Sequence, residues 1–314
     1  MLEIGSKTLK AHILPYGATL AGLWHSAIDY SLVLGSDDET AYRSELAFFG
    51  AIVGPVANRI SGGVVRICGR EYRMAANDGA NTLHSGKNGT HAQEWAVEEH
   101  SQDSVTLTLC LPDRANDLPG NRNLTANYRV TDDGEMHLTL SAETDAETVM
   151  NLAHHPYWNL DASETIQTHA LCVNAQNFLP VDSELIPTGK VSKVAGTPYD
   201  FISSRPLSTE FGIDENYCLA DRPLQNPRHA ATLRGSSGVV LDIHTTEPGL
   251  QVYTGSGLPS VSACMHDDRR CGPFAGIALE PQRWPDAPRN PQFPSIILRP
   301  NEAYHQKTVY RIGT

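Results

Sequence analysis

Three short runs constrain this chain more than anything else in it. In "SVTLTLCLP", Val105, Leu107, Leu109 and Leu111 point one way while Thr106, Thr108 and Cys110 point the other, the period of two that marks a half-buried strand. "LTANYRV" repeats the pattern with Leu124, Ala126, Tyr128 and Val130, and "MHLTLSA" repeats it with Met136, Leu138, Leu140 and Ala142. Asp132-Asp133-Gly134, between the last two, is a hairpin turn signal.

Further short strands are predicted at 62–68, 71–75, 95–100, 168–174, 238–244, 250–254, 275–280, 295–299 and 304–312. Helical periodicity is almost absent; "DDETAYRSEL" predicts one short helix near residue 37, with Asp37 or Asp38 as its cap. The 25 Gly and 20 Pro are spread along the chain without a long linker, so turns punctuate it everywhere. That pattern predicts an all-β fold, one large antiparallel β-sandwich forming a single domain over residues 1–314. No repeat of fixed period is visible, which argues against a propeller.

The formal charge of −12 disfavours nucleic acid and anionic membranes as partners, since both call for clustered Lys and Arg. No run approaches the roughly 18 apolar residues of a membrane span. The opening "MLEIGSKTLKAHILPYG" does not read as a signal peptide, and the expected location is the cytoplasm. The six cysteines, Cys68, Cys110, Cys172, Cys218, Cys264 and Cys271, form no C-x-x-C pair and are expected to be reduced, mostly buried thiols.

There is no G-x-S-x-G elbow, H-E-x-x-H, P-loop or G-x-G-x-x-G after a strand, so the common hydrolase, zincin and nucleotide readings lack support. What remains is a series of polar clusters among turn formers. They include Asn58-Arg59-Ile60 before a glycine turn, Asn81-Thr82-Leu83-His84, and Asn151-Leu152 leading to His155-Pro156-Tyr157-Trp158-Asn159. Later come "LIPTG" at 185–189, "GTPYDF" at 196–201, Asp214 before Tyr217, Gln251 before Tyr253-Thr254, Glu280 followed by "PDAPRN", and the closing "FPSIILRPNEAY". Any one piece is weak. Together, in this order from about residue 50 onward, they resemble the aldose 1-epimerase (galactose mutarotase) family.

The resemblance implies a cofactor-free enzyme that interconverts the α and β anomers of a free aldose on a galactose mutarotase-like supersandwich, with a monosaccharide as its partner and a monomer or homodimer as its assembly. The residue types suit that reaction. Opening a pyranose takes a proton from the C1 hydroxyl and gives one to the ring oxygen, so one base and one acid suffice. By resemblance, Glu280 is the base, His155 the acid and His84 a second active-site histidine. Asn58, Arg59, Asp214 and Gln251 match positions that hydrogen-bond sugar hydroxyls, and Tyr157 or Trp158 is a candidate to lie against the ring. Working near pH 7 in this way requires a charged His155, which neighbouring carboxylates would favour.

Taken singly, each residue has a plainer explanation. His155 would cap a strand end, Glu280 would be a solvated strand end, Asp214 a turn cap, Arg59 a surface ion pair, and Gln251 a water-facing strand residue. His154 reads as structural, and a zinc site using both His154 and His155 is disfavoured because neighbours on a strand face opposite ways. The chain departs from the family pattern at Pro55, Ser85 and Trp158, which leaves the preferred sugar open. Two alternatives stay beside the main reading. One is an epimerase of phosphorylated or otherwise charged sugars, using Arg283 or Arg289; the other is a non-catalytic sugar-binding regulatory protein.

Overall fold

The computed structural model describes residues 1–263 and 265–314. Two antiparallel sheets dominate it. The larger has nine strands in the spatial order Arg205–Pro206, Ala170–Val173, Arg228–Arg234, Val240–Thr245, Tyr304–Gly313, Glu135–Thr144, Arg122–Val130, Ser104–Leu111 and Ala96–His100. The smaller has six, in the order Tyr157–Trp158, Ile277–Gln282, Gly249–Tyr253, Asp214–Cys218, Asn177–Leu179 and Ser192–Lys193. A three-stranded meander, Leu2–Gly5, Leu9–Leu14 and Thr19–His25, packs its Ile4, Leu9, Ala11 and Ile13 into the same core. The all-β sandwich predicted from the alternating runs is the fold observed.

Alternation decides which side chains enter the core. Val105, Leu107, Leu124, Ala126, Tyr128, Val130, Met136, Leu138, Leu140 and Ala142 are all buried on the inner face of the large sheet. From the small sheet, Leu250, Val252, Tyr217, Ile277 and Leu279 meet them. The opposite face of the small sheet therefore carries Ala278, Glu280, Gln251, Tyr253, Asp214 and Asn216. These residues are the raw material of the site, and its polar members lie back to back with an apolar core that holds their strands rigid.

The helical content among the described residues is limited to short 3₁₀ turns. One of them, Glu39–Arg43, falls where a helix is predicted, and Asp38 caps it by accepting the Thr40 N–H at 2.9 Å. The cysteines depart from expectation. Cys68, Cys110, Cys172, Cys218 and Cys271 are free, but Cys68 and Cys110 are exposed and Cys271 is the buried one. Cys110 is exposed because it alternates with the inward Leu109 and Leu111, and Cys68 because it sits on a turn at φ 48°. Cys264 lies outside the described residues.

Candidate active site

His155 follows the two-residue strand Ala153–His154, and the chain there is pinned by two bonds: the His155 N–H donates to the Ala51 carbonyl at 3.0 Å and the Gly50 N–H donates to the His155 carbonyl at 2.9 Å. Its neighbour His154 faces the other way. The His154 ring packs between Tyr128 and Tyr310 and meets the Tyr310 hydroxyl through Nδ1 at 3.0 Å. Strand alternation thus divides the double histidine into one core residue and one site residue.

Glu280 reaches the same place from the centre of Ile277–Gln282. The His155 Nε2 and the Glu280 Oε1 are 3.5 Å apart, with His155 5% and Glu280 2% exposed. Burial dominates the electrostatics of both. It holds the imidazole down to about 4, against a backbone hydrogen bond that raises it, with His91 adding a smaller push downward. It pushes the Glu280 carboxyl well above the usual carboxylate range, with the Asp214 charge adding to the rise. Burial thus opposes the charged His155 expected from the sequence, favouring the neutral imidazole and the protonated carboxyl. At 3.5 Å the two groups stand close enough for a proton to pass between them.

A ribbon of Arg59–Ile60 paired with Thr82–Leu83 brings in the next residues. Asn58 and His84 flank it, both in the left-handed region at φ 63° and 49°, and they bond reciprocally. The His84 N–H donates to the Asn58 carbonyl at 3.1 Å, and the Asn58 N–H donates to His84 Nδ1 at 3.1 Å. An Nδ1 that accepts must be unprotonated, so His84 carries its hydrogen on Nε2 and is a neutral donor. Burial, then the neighbouring His155, His91 and Arg59, push its pKa well below the ordinary histidine value. The His84 and His155 rings meet edge to face at 5.4 Å.

Arg59 donates through Nε to Asp78 at 2.7 Å and places Nη1 3.6 Å from Asp214. The other Asp214 oxygen accepts from Gln251 Nε2 at 2.7 Å. Asn58, Arg59, His84, His155, Asp214, Gln251 and Glu280 all line one cavity of about 560 Å³. Two acceptors in it, Glu280 Oε2 and Gln251 Oε1, are buried without a hydrogen-bond partner. Unpaired buried acceptors are costly, and a hydroxyl-rich ligand would satisfy both.

Other residues sit elsewhere. Tyr157 lines the cavity, whereas Trp158 is buried in the core against Tyr310, its ring 5.2 Å away. Ser85 Oγ accepts the Val56 N–H at 2.8 Å and the Pro55 carbonyl accepts the Asn151 N–H at 2.8 Å, so both serve the loop beneath the site. Arg283 and Arg289 do not line the cavity. Arg283 is tied to Glu247 at 3.5 Å and to the Ser295 carbonyl at 2.8 Å, while Arg289 donates to the Ser61 hydroxyl.

Phe48, Asp78, Tyr199 and Glu215 are not singled out as site residues by the sequence, although Tyr199 stands within "GTPYDF" and Glu215 directly follows Asp214. Phe48 lies between the rings of His84 at 5.1 Å and His91 at 4.7 Å, walling the site with a hydrocarbon face. It reads as one more apolar residue in "LAFFG", and Asp78 reads as part of an Asn-Asp-Gly turn, so neither carried a signal of its own.

A sequence profile described as aldose 1-epimerase matches residues 1–311, beyond the start of the clusters noted in the sequence. The galactose mutarotase of Bos taurus is 34% identical, covering 99% of this chain and 93% of its own. The aldose 1-epimerase of Escherichia coli K12 is 30% identical over 95% of this chain and 90% of its own. Among solved structures, an aldose epimerase homologue from C. elegans superposes with a TM-score of 0.91 at 29% identity, over 99% of this chain and 98% of that one. From the profile match, the identities and the shared architecture, the chain belongs to the aldose 1-epimerase family.

Proposed function

We propose that this chain is a mutarotase: it interconverts the α and β anomers of a free aldose by general acid–base ring opening and closure, with Glu280 as base and His155 as acid. The observation that carries the role assignment is the 3.5 Å approach of Glu280 and His155 within a sugar-sized cavity. The two oxygens that exchange protons, the C1 hydroxyl and the ring oxygen, are bonded to the same carbon. An acid and a base that serve them must stand this close.

In the forward step, Glu280 takes the proton of the C1 hydroxyl as His155 protonates the ring oxygen; the bond from C1 to the ring oxygen breaks and an aldehyde forms. Rotation about C1–C2 turns the other carbonyl face to the C5 hydroxyl. That hydroxyl attacks C1, its proton returns to His155, and the carbonyl oxygen takes the proton held by Glu280. Protons balance over the cycle and no electron is transferred. Sugar hydroxyls that donate to Glu280 on binding stabilise its anion, which favours the carboxylate–imidazolium form needed at the start. His84, through Nε2–H, donates to an oxygen at the reacting end. Arg59, Asp214, Gln251 and Asn58 hold the remaining hydroxyls, each of which both donates and accepts.

A neutral sugar suits this cavity better than a phosphorylated one. Among the described residues that line it, Arg59 is the one fixed cation, and Asp78 and Asp214 already engage it. We also propose a single domain, supported by one apolar core that runs from Ile4 to Ile312, a monomer or homodimer, and a cytoplasmic location, with which the five free thiols among the described residues agree. Exchange NMR with α-glucose, α-galactose and L-arabinose tests the function: faster anomer exchange than in buffer is expected for at least one, and buffer rates for all would refute it.

A further inference from the structure

The strands that carry the acid and the base begin as neighbours and then part. Tyr157 pairs with Ala278 and Trp158 with Ile277, and the same register carried two residues further sets His155 opposite Glu280. Backbone pairing does not reach them. Pro156 has no N–H to donate, and the N–H and carbonyl of His155 are taken by Ala51 and Gly50. The 3.5 Å between the two functional groups is therefore set by whatever ties the strands together beyond the split.

Side chains make that tie, and two of them come from the last strand of the chain. Along Tyr304–Gly313 the buried positions are Tyr304, Gln306, Thr308, Tyr310 and Ile312. An amide is a costly occupant of such a position unless both its groups are paired, and both are. Gln306 Nε2 donates to the carbonyl of Pro281, the residue after Glu280, at 2.8 Å. Gln306 Oε1 accepts from the Tyr304 hydroxyl at 2.7 Å, and that hydroxyl accepts the N–H of Leu152, three residues before His155, at 3.2 Å. One amide thus spans the split, holding the Glu280 strand through its nitrogen and the His155 segment through its oxygen and one phenol. Asn151 closes the far end of the split, its Oδ1 accepting the Arg283 N–H at 2.8 Å.

We propose that Gln306, with Tyr304 as its link, is a positioning residue for the anomer exchange: it fixes the separation of Glu280 and His155 without touching the sugar. Gln306 is 1% exposed and does not line the cavity, so its effect reaches the reacting atoms only through the two strands it joins. Small displacements suffice, since misplacement of a reacting group by about 1 Å can cost on the order of 10²-fold in rate. The role rests on the mutarotase reading of the Glu280–His155 pair.

The test is initial-rate polarimetry on the native protein, Gln306→Met, Tyr304→Phe and the double variant, with whichever of glucose, galactose and arabinose the native protein turns over, folding being checked by circular dichroism. Gln306→Met keeps the length of the side chain and removes both bonds; kcat is expected to fall roughly 10- to 100-fold while KM stays close to the native value. Tyr304→Phe deletes one oxygen and keeps the ring that packs on Arg283, and a smaller fall in kcat at native KM is expected. Because the two side chains form one relay, the double variant should lose no more kcat than Gln306→Met alone. If Gln306→Met does not fold, Tyr304→Phe decides by the same split between kcat and KM. Native kcat in either folded variant, a loss that falls on KM, or losses in kcat that multiply in the double variant overturns the inference and leaves the mutarotase assignment standing. Failure of the native protein on every sugar would sink the mutarotase reading itself, and this inference with it.

Discussion

Glu280 and Gln251 are direct partners across two adjacent strands, and Gln251 in turn grips Asp214 at 2.7 Å on the strand beyond. Two carboxylates and the amide between them thus stand in a row on one face of a buried sheet, each placed by register rather than by loop conformation. Charge on Asp214 is felt at Glu280, where it adds to burial in raising the pKa.

This coupling gives a pH dependence with a definite sign. In the proposed mechanism the working state holds one proton on the Glu280–His155 pair. Activity is expected to fall as pH drops through about 4, where His155 takes a second proton and no base remains. It should fall again on the alkaline side at the raised pKa of Glu280, where the last proton leaves. Asp214→Asn removes a negative charge that raises Glu280, so the alkaline limb of kcat/KM should move to lower pH. A pH–rate series on the native protein and the variant checks it, and an alkaline limb that stays in place would contradict the coupling.

Arg59 holds Asp78 and Asp214 with two different edges of one planar group. Arg59→Lys keeps the charge and loses the fork. The expected result is a rise in KM of roughly 10- to 150-fold, corresponding to about 1.5–3 kcal/mol for charged hydrogen bonds, with a smaller change in kcat. Initial-rate polarimetry separates the two.

Trp158 lies in the core, not in the cavity, and its indole N–H is buried without a partner. Trp158→Phe is therefore expected to leave the order of preference among sugars unchanged. Trp158→Ala should cost about 3–5 kcal/mol of stability. Rates on a sugar panel, with thermal melts, check both.

Asp161 ties two distant segments together by accepting from Thr168 Oγ1 at 2.7 Å, from the Ser236 and Ser237 N–H groups, each at 2.9 Å, and from both serine hydroxyls. Partial burial would raise its pKa, but these donors outweigh it and hold the carboxyl below its usual range. A depressed folded-state pKa contributes stability that is present above the unfolded value near 3.9 and is lost as pH falls below it. Asp161→Asn should cost about 1.5–3 kcal/mol at neutral pH and progressively less toward pH 2, as denaturant titrations at several pH values would show.

Much of this architecture is readable in the chain, for identifiable reasons. Strands that are buried on one face, such as Ser104–Leu111 and Glu135–Thr144, alternate cleanly and were found almost to the residue. Thr19–His25 is buried along nearly all its length and contains a glycine, so it shows no period of two. Asp214–Cys218 reads "DENYC", a composition that opposes strand formation; its pairing with two neighbours and the apolar core behind Tyr217 override that local preference. The order of the motifs is what singles out the seven residues that line the cavity. Their convergence is not legible in the chain, because it depends on long-range register such as Tyr157 opposite Ala278, and the protonation state of His155 depends on burial that no local window reveals.

The central claim is that Glu280 and His155 exchange protons with the two oxygens on C1 of a sugar. Exchange NMR on Glu280→Gln and His155→Asn, each checked for native folding by circular dichroism, tests it most directly. Each variant is expected to lose roughly 10²- to 10⁴-fold in anomer exchange while remaining folded. Near-native exchange rates in either folded variant would contradict it.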